Sequence, residues 1–327
     1  MKVLLINKQE VSDILSMEAC IDLMSEAFKT LASGQSIQPL RSAMWLPDKS
    51  GLLGLMPAYD SDTKVMGVKV VSVFPGNHSK GLSSHQGAVL LFDNETGQMY
   101  AIIDGDRSTA IRTAAASAVA TRLLAREDAK ELAILGSGEQ ATRHLEAMLL
   151  VRNIKKVKVW SRNHEHALRF LELESSNYEV IIEAIEDVHE AVARADIICT
   201  TTAAKEPVLR SEWIADGVHI NAIGACTAGA RELDSELVAR SKLFTDRKES
   251  LFNESGDFLF PMKEGLFGEE HLLGEIGEFL AGSKPARETE KDITLFKSLG
   301  LAVEDLAACH YIYRKATENN KGTFVNL

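Results

Sequence analysis

Cysteine is scarce in this chain: four in 327 residues, at Cys20, Cys199, Cys226 and Cys309, far apart and with no C-x-x-C pair. That spacing excludes a disulfide framework and a zinc knuckle, and it fits a reducing compartment. Positive charge is in the minority too. Lys and Arg total 36 against 47 Asp and Glu, a net charge of −11. Such a chain repels phosphate backbones and anionic lipid, which argues against nucleic acid and membrane surfaces as general partners. An anion site here has to be a local cluster of Arg or Lys. Long apolar runs are also missing: none approaches the roughly 20 residues that span a bilayer, and MKVLLINKQE is too short an apolar stretch for a secretory signal. The expected location is cytoplasmic.

What is present suits a soluble globular enzyme: 45% hydrophobic and 25% charged residues. At roughly 150 residues per domain, the length suggests two domains. Ser16 to Gly34 reads as a helix, with Ile21, Met24, Phe28 and Leu31 near helical spacing, Ser16 as cap and Gly34 as terminator. Short apolar runs follow, broken by turn residues, and Asp93 to Gly97 reads as a hairpin loop in an antiparallel or mixed sheet. Thr113 to Ala125, rich in small helix formers, reads as a connecting helix. After it the period changes. ELAIL, a glycine turn, a helix to about Val151 and KVKVW form a strand–turn–helix–strand unit. Further strands are expected at 180–185, 197–201, 219–223 and 243–245, with a short helix at HEAVARA; strands alternating with helices indicate a parallel sheet. Val303 to Ala316 reads as a final helix that returns to the first domain.

The sharpest local signal is Gly136-Ser137-Gly138-Glu139-Gln140-Ala141, a G-x-G-x-x-A directly after ELAIL. Two glycines allow a tight turn and close approach of backbone N–H groups to a pyrophosphate, and the small Ala141 lets helix press on strand. The helix N-terminus adds partial positive charge that an acidic protein otherwise lacks. An NAD site expects Asp or Glu at the end of the next strand, on the ribose 2′-hydroxyl. This chain has Ser161-Arg162-Asn163 there. A guanidinium suits a 2′-phosphate, so NADP(H) is favoured, with NAD(H) as the alternative. Thr201, Gly224 and Ala225 close other expected strands at their carboxyl ends, where dinucleotides bind.

Arg41, Lys69 and Arg112 are basic residues in apolar surroundings. Lys69 shares a strand face with Gly67 and Val71, and a lysine so placed is ordinarily an edge or solvent residue. Arg112 is equally a cap or a salt-bridge partner. Together the three would make a pocket for a small carboxylate. His164 and His166 form an H-x-H without further ligands at useful spacing, so no metal is expected.

Four stretches in order carry a family likeness: GLSSHQGAVLLFDNETGQMYAIIDG followed by IRTAAASAVAT; AILGSGEQA with VKVWSRN; HINAIGACTAGARELD; and DITLFKSLGLAVEDLAA. Through them the chain resembles the ornithine cyclodeaminase/mu-crystallin family over essentially its whole length. The resemblance implies an α/β fold, a Rossmann-type parallel sheet domain (residues 121–304) plus a discontinuous α+β substrate-binding and dimerisation domain (1–120 with 305–327). It also implies a homodimer. By motif, Arg41 and Arg112 hold the substrate carboxylate, Lys69 lies beside the reacting carbon and nitrogen, and Thr113, Ser298 and His85 border the pocket. True cyclodeaminases carry an aspartate in the loop matching GACTAGAREL; here Cys226 takes that place, a poor substitute for a carboxylate. Cys226 and Arg162 both point to the reductase branch, resembling Δ1-pyrroline-2-carboxylate and ketimine reductases. The expected reaction is NADPH reduction of Δ1-pyrroline-2-carboxylate to L-proline, with the six-membered homologue going to L-pipecolate. The alternatives are an ornithine cyclodeaminase, an alanine or opine-type dehydrogenase, and a non-catalytic NADPH-dependent binding protein like mu-crystallin.

Overall fold

The computed structural model describes residues 1–282 and 286–327. Along the chain run β1 (Lys2–Ile6), α1 (Lys8–Ile14), α2 (Met17–Ala32), β2 (Ser36–Ile37), β3 (Ser42–Trp45) and β4 (Leu52–Asp60). Then come β5 (Val65–Val73), β6 (His85–Asp93), β7 (Met99–Asp104), α3 (Gly105–Leu124), β8 (Glu131–Leu135) and α4 (Glu139–Val151). They are followed by β9 (Lys156–Trp160), α5 (His164–Glu174), β10 (Ile181–Ile185), α6 (Val188–Val192), β11 (Ile197–Thr200) and β12 (His219–Ala222). After these lie α7 (Ser235–Arg240), β13 (Lys242–Thr245), α8 (Lys248–Glu254), α9 (Gly256–Lys263) and β14 (Leu272–Glu275). The last elements are α10 (Ile276–Leu280), β15 (Thr294–Lys297), α11 (Ala302–Glu318) and β16 (Thr323–Asn326).

Two compact units result: Met1–Arg112 with Leu301–Leu327, and Thr113–Gly300. The divisions fall at 112/113 and 300/301, against the 120/121 and 304/305 expected from sequence, and α3 runs through the first of them. That helix begins at Gly105, well before Thr113, because the Asp104 carboxylate accepts the Arg107 N–H at 2.8 Å and so caps an earlier first turn.

The first unit is built on a mixed sheet in the order β16-β1-β7-β6-β5-β4-β2, with β3 also on β4; β1 and β7 are parallel and the other pairs antiparallel. Val65, Gly67 and Lys69 alternate onto one face of β5, where α11 packs across β4, β5 and β6 and against α2. The α2 boundaries follow from chemistry legible in the sequence: the Ser16 hydroxyl accepts the Ala19 N–H at 3.2 Å, and Gly34 takes φ +75° after the last turn. Ile21, Met24 and Phe28 are buried as their spacing requires.

The second unit is an eight-stranded parallel sheet, β10-β9-β8-β11-β12-β15-β13-β14. Strand order reverses between β8 and β11, the switch point of a dinucleotide-binding fold, and ligands bind beyond the carboxyl ends of strands there. Leu135, Ile198, Ile220, Leu243, Leu295 and Phe258 form its core. The strands β14 and β15 were not among those expected from the sequence, although β11, β12 and β13, which were, are equally short. Among the described residues no helix is long and apolar enough to cross a membrane, and no three His, Cys, Asp or Glu side chains are placed to hold a metal.

Candidate functional site

Functional side chains gather in two places, one within each unit. In the first unit β5 is central, so Lys69 is not an edge or solvent residue, as a strand lysine ordinarily is; it is 5% exposed. The register sets Met56, Lys69, Val89 and Ile103 side by side across four strands. The Lys69 Nζ lies 2.6 Å from Asp305 Oδ2, in the first turn of α11. The other oxygen of Asp305 accepts Arg112 Nε at 2.9 Å, and Arg112 Nη1 donates to Glu304 Oε2 at 2.7 Å. Thr109 Oγ1 is 3.5 Å from both Lys69 Nζ and Asp305 Oδ1. Two cations and two carboxylates are thus buried together. Burial, aided by Arg112, holds the Lys69 ammonium below the usual lysine range, with Asp305 opposing. Burial lifts the Asp305 carboxyl, but Arg112 and Lys69 outweigh it and hold it below its usual value.

Arg41 is half-buried, one residue before β3. Continuing the pairing Ser42 to Leu55 by one residue sets Arg41 opposite Met56, in the Lys69 row. Thr113 follows Arg112 on α3 and is buried. His85 opens β6, exposed, on the Lys69 face but four residues along from Val89, with Nδ1 at 3.0 Å from the Ser84 hydroxyl. Glu304 and Asp305 had no place among the candidates drawn from sequence. Acidic residues in a first helical turn ordinarily complement the helix dipole in solvent, and nothing local marks these as buried.

In the second unit the glycine turn follows β8. Gly136 has φ +121°, its N–H donates to the Trp160 carbonyl at 2.8 Å, and a Cβ there would lie 2.5 Å from Thr201 Oγ1. Thr201 is fastened to the same strand end, its N–H and hydroxyl both donating to the Leu135 carbonyl. A Cβ on Gly138 would meet no atom within 4 Å, and no side chain caps α4. Open space at the start of a helix that no side chain caps fits a pyrophosphate. Glu139 and Gln140 start that helix and Ala141 is fully buried, pressing it to the sheet. Beyond β9 the Ser137 hydroxyl donates to that of Ser161 at 3.2 Å, and Arg162 is exposed. Asn163 caps α5, accepting the Glu165 N–H, so its carbonyl oxygen is committed to the helix.

The carboxyl ends of β11, β12 and β15 are tied by residues that sequence reasoning did not single out. Glu232, fully buried, accepts Thr200 Oγ1, Thr202 N, Thr202 Oγ1 and Gly224 N at 2.7 to 2.8 Å. Gly224 cannot be larger, since a Cβ would sit 2.1 Å from the Thr202 carbonyl oxygen; Ala225 beside it is buried. Asp257 accepts the Glu232 and Leu233 N–H groups through Oδ1, and its Oδ2 lies 2.9 Å from Lys297 Nζ. Burial opposes the Lys297 charge, but Asp257, Cys226 and Glu232 raise its pKa above the usual range. The Cys226 thiol donates to the Ile223 carbonyl at 3.1 Å. Ser298 is buried, and its hydroxyl lies 3.4 Å from Asp246 Oδ2, which also accepts the Leu299 and Gly300 N–H groups. ARELD and FKSLG hold these residues in the sequence, but their burial is a property of the packed sheet.

Residues 1–320 match the model of the ornithine cyclodeaminase/mu-crystallin family. The chain is 37% identical over 325 residues to a Δ1-pyrroline-2-carboxylate reductase of Bacillus cereus, covering 99% of this chain and 100% of that one. It is 39% identical over 312 residues to the ketimine reductase mu-crystallin of Mus musculus, covering 94% and 96%. Its fold superposes on the Thermococcus litoralis Δ1-pyrroline-2-carboxylate reductase solved with NADH and L-proline, with a TM-score of 0.96, 42% identity and coverage of 99% and 100%.

Proposed function

The chain belongs to the ornithine cyclodeaminase/mu-crystallin family, and on that premise we propose that it reduces a cyclic imino acid, Δ1-pyrroline-2-carboxylate, to L-proline. It is an imine-reducing, nicotinamide-dependent oxidoreductase. What supports the substrate class most is the superposition on a Δ1-pyrroline-2-carboxylate reductase solved with NADH and L-proline, beside which this chain offers Lys69 and Arg112, both held on the buried carboxylate of Asp305. Arg112, with Arg41, binds the substrate carboxylate and orients the ring. A bound nicotinamide dinucleotide supplies the hydride that C2 accepts. Lys69 holds the proton that the imine nitrogen takes up, which makes C2 electrophilic.

Gly136, Gly138 and the start of α4 hold the pyrophosphate, and Arg162 with Ser161 holds a 2′-phosphate, which favours NADPH over NADH. The thiol of Cys226, standing where cyclodeaminases carry an aspartate, disfavours the cyclodeaminase reaction. We further propose a homodimer. Met44, Trp45, Leu53 and Leu55 on β3 and β4 are large apolar side chains left exposed, the kind of surface a second copy covers. Four cysteines, none of them in a disulfide, fit a cytoplasmic home.

The deciding experiment follows NADPH and NADH oxidation with pyrroline-2-carboxylate and piperideine-2-carboxylate side by side. Turnover of the five-membered imine, faster with NADPH, is expected. Ammonia from ornithine with NAD, or turnover of pyruvate with ammonia but of neither imine, would replace this reading by a cyclodeaminase or an alanine dehydrogenase. Tight NADPH binding with no turnover at all would make it a binding protein.

A further inference from the structure

The two carboxylates at the start of α11 are not equivalent. Glu304 touches Arg112, whereas Asp305 touches both Arg112 and Lys69, one oxygen to each. We propose that Asp305 is a positioning residue for the reduction: it locks the Lys69 ammonium and the Arg112 guanidinium in one arrangement and keeps the proton on Lys69 until the imine is bound. This rests on the preceding assignment of the imine proton to Lys69.

The groups facing Lys69 come from three elements. Thr109 and Arg112 lie on α3, Glu304, Asp305 and Cys309 on α11, and Cys20 on α2 reaches Arg112, Glu304 and Asp305. Burial pushes the Cys20 and Cys309 thiols well above their usual range, so they stay neutral and contribute no charge. Lys69, Arg112, Glu304 and Asp305 thus balance as two positive and two negative groups, with Arg41 in the same strand row before β3. Without Asp305, Lys69 would stand buried beside Arg112 with its 2.6 Å counter-charge gone, a setting in which an ammonium sheds its proton.

In the step itself the Lys69 N–H bond breaks and an N–H bond forms on the imine nitrogen. Lys69 is left neutral and the ring becomes an iminium, whose C2 takes the hydride and its electron pair from the reduced dinucleotide. The product is the secondary amine. The cluster carries one net negative charge until Lys69 regains a proton from solvent.

The test is the pH profile of kcat for imine reduction by the purified full-length enzyme. In Asp305→Asn the alkaline limb is expected to move to lower pH by about one unit or more, with about tenfold lower activity above both limbs. Glu304→Gln should move that limb less and act on KM for the imino acid. An unmoved limb in a folded Asp305→Asn enzyme overturns the proposal. Should Asp305→Asn fail to fold, Asp305→Glu decides. It keeps the charge but displaces the contact, so kcat should fall about tenfold with the limb near its original place; wild-type kcat overturns the proposal. Lys69→Met separates the two levels. Near-normal turnover there removes Lys69 and the underlying reading, whereas lost turnover with an unmoved Asp305→Asn limb removes Asp305 alone.

Discussion

Gly136 and Thr201 close on each other so tightly that a single methyl group at 136 would lie 2.5 Å from Thr201 Oγ1, on a backbone already at φ +121°. Thr201 has no slack, since its N–H and hydroxyl are both bound to the Leu135 carbonyl. Gly136→Ala should therefore cost about 1–3 kcal/mol in strain alone and spoil the turn that approaches the pyrophosphate. Thermal melting and NADPH fluorescence titration read the two effects. A variant that melts and binds like wild type would contradict the packing described.

Arg162 is exposed at the end of β9, where no carboxylate stands to meet a ribose hydroxyl. Arg162→Asp should raise KM for NADPH about tenfold or more and lower KM for NADH, because a guanidinium–phosphate pair is lost and a ribose acceptor gained. Unchanged KM values for both cofactors would dismiss Arg162 as a determinant.

Lys297 and Asp257 are both almost fully buried. Removing the cation by Lys297→Met leaves the Asp257 carboxylate without its counter-charge, at a cost of about 3–5 kcal/mol. Urea unfolding measures the loss. Asp257 also holds the Glu232 and Leu233 amides, so the loop bearing Cys226 should loosen, visible as faster Cys226 labelling by a thiol reagent. Wild-type stability in this variant would mean the pair is not coupled to folding.

Two buried histidines set the acid side of stability. His144 donates from Nδ1 to the Gln140 carbonyl, and burial pushes it down to about 4; burial likewise pushes His219 down to about 3. Both lie below the unfolded value near 6.5, so the unfolded chain binds protons first as pH falls. Their stabilising effect is complete above about pH 6.5 and is lost between there and the folded values, on the order of 3 kcal/mol for His144. Unfolding free energy from urea titrations should fall from pH 7 to pH 5, less steeply in His144→Gln. A flat profile would show that neither histidine titrates on unfolding.

Much of the fold was legible because it rests on local chemistry. The Ser16 cap and Gly34 terminator of α2, the alternation of β5, and the G-x-G-x-x-A turn after ELAIL each need only neighbouring residues to act. β14 and β15 went unmarked although β11, β12 and β13 are equally short: Gly274 interrupts the apolar run of β14, and β15 is defined by its pairing with β12 and β13.

At the site, amino-acid types alone offered Arg41, Lys69 and Arg112 as basic residues that together would make a carboxylate pocket, each by itself ordinarily structural, and the glycine turn with Arg162 as a dinucleotide cradle; the family likeness gave the three their roles. Family motifs added Cys226 and Ser298. What the types could not say is which charges are buried and with whom. Lys69 on an isolated strand is a solvent lysine; in the sheet, centred and covered by α11, it is an ammonium held against Asp305. The same holds for Glu232, Asp257 and Lys297, separated in sequence and joined only where parallel strands end together. A charge inside a protein takes its chemistry from its desolvation and its partner, and both are decided by packing across elements.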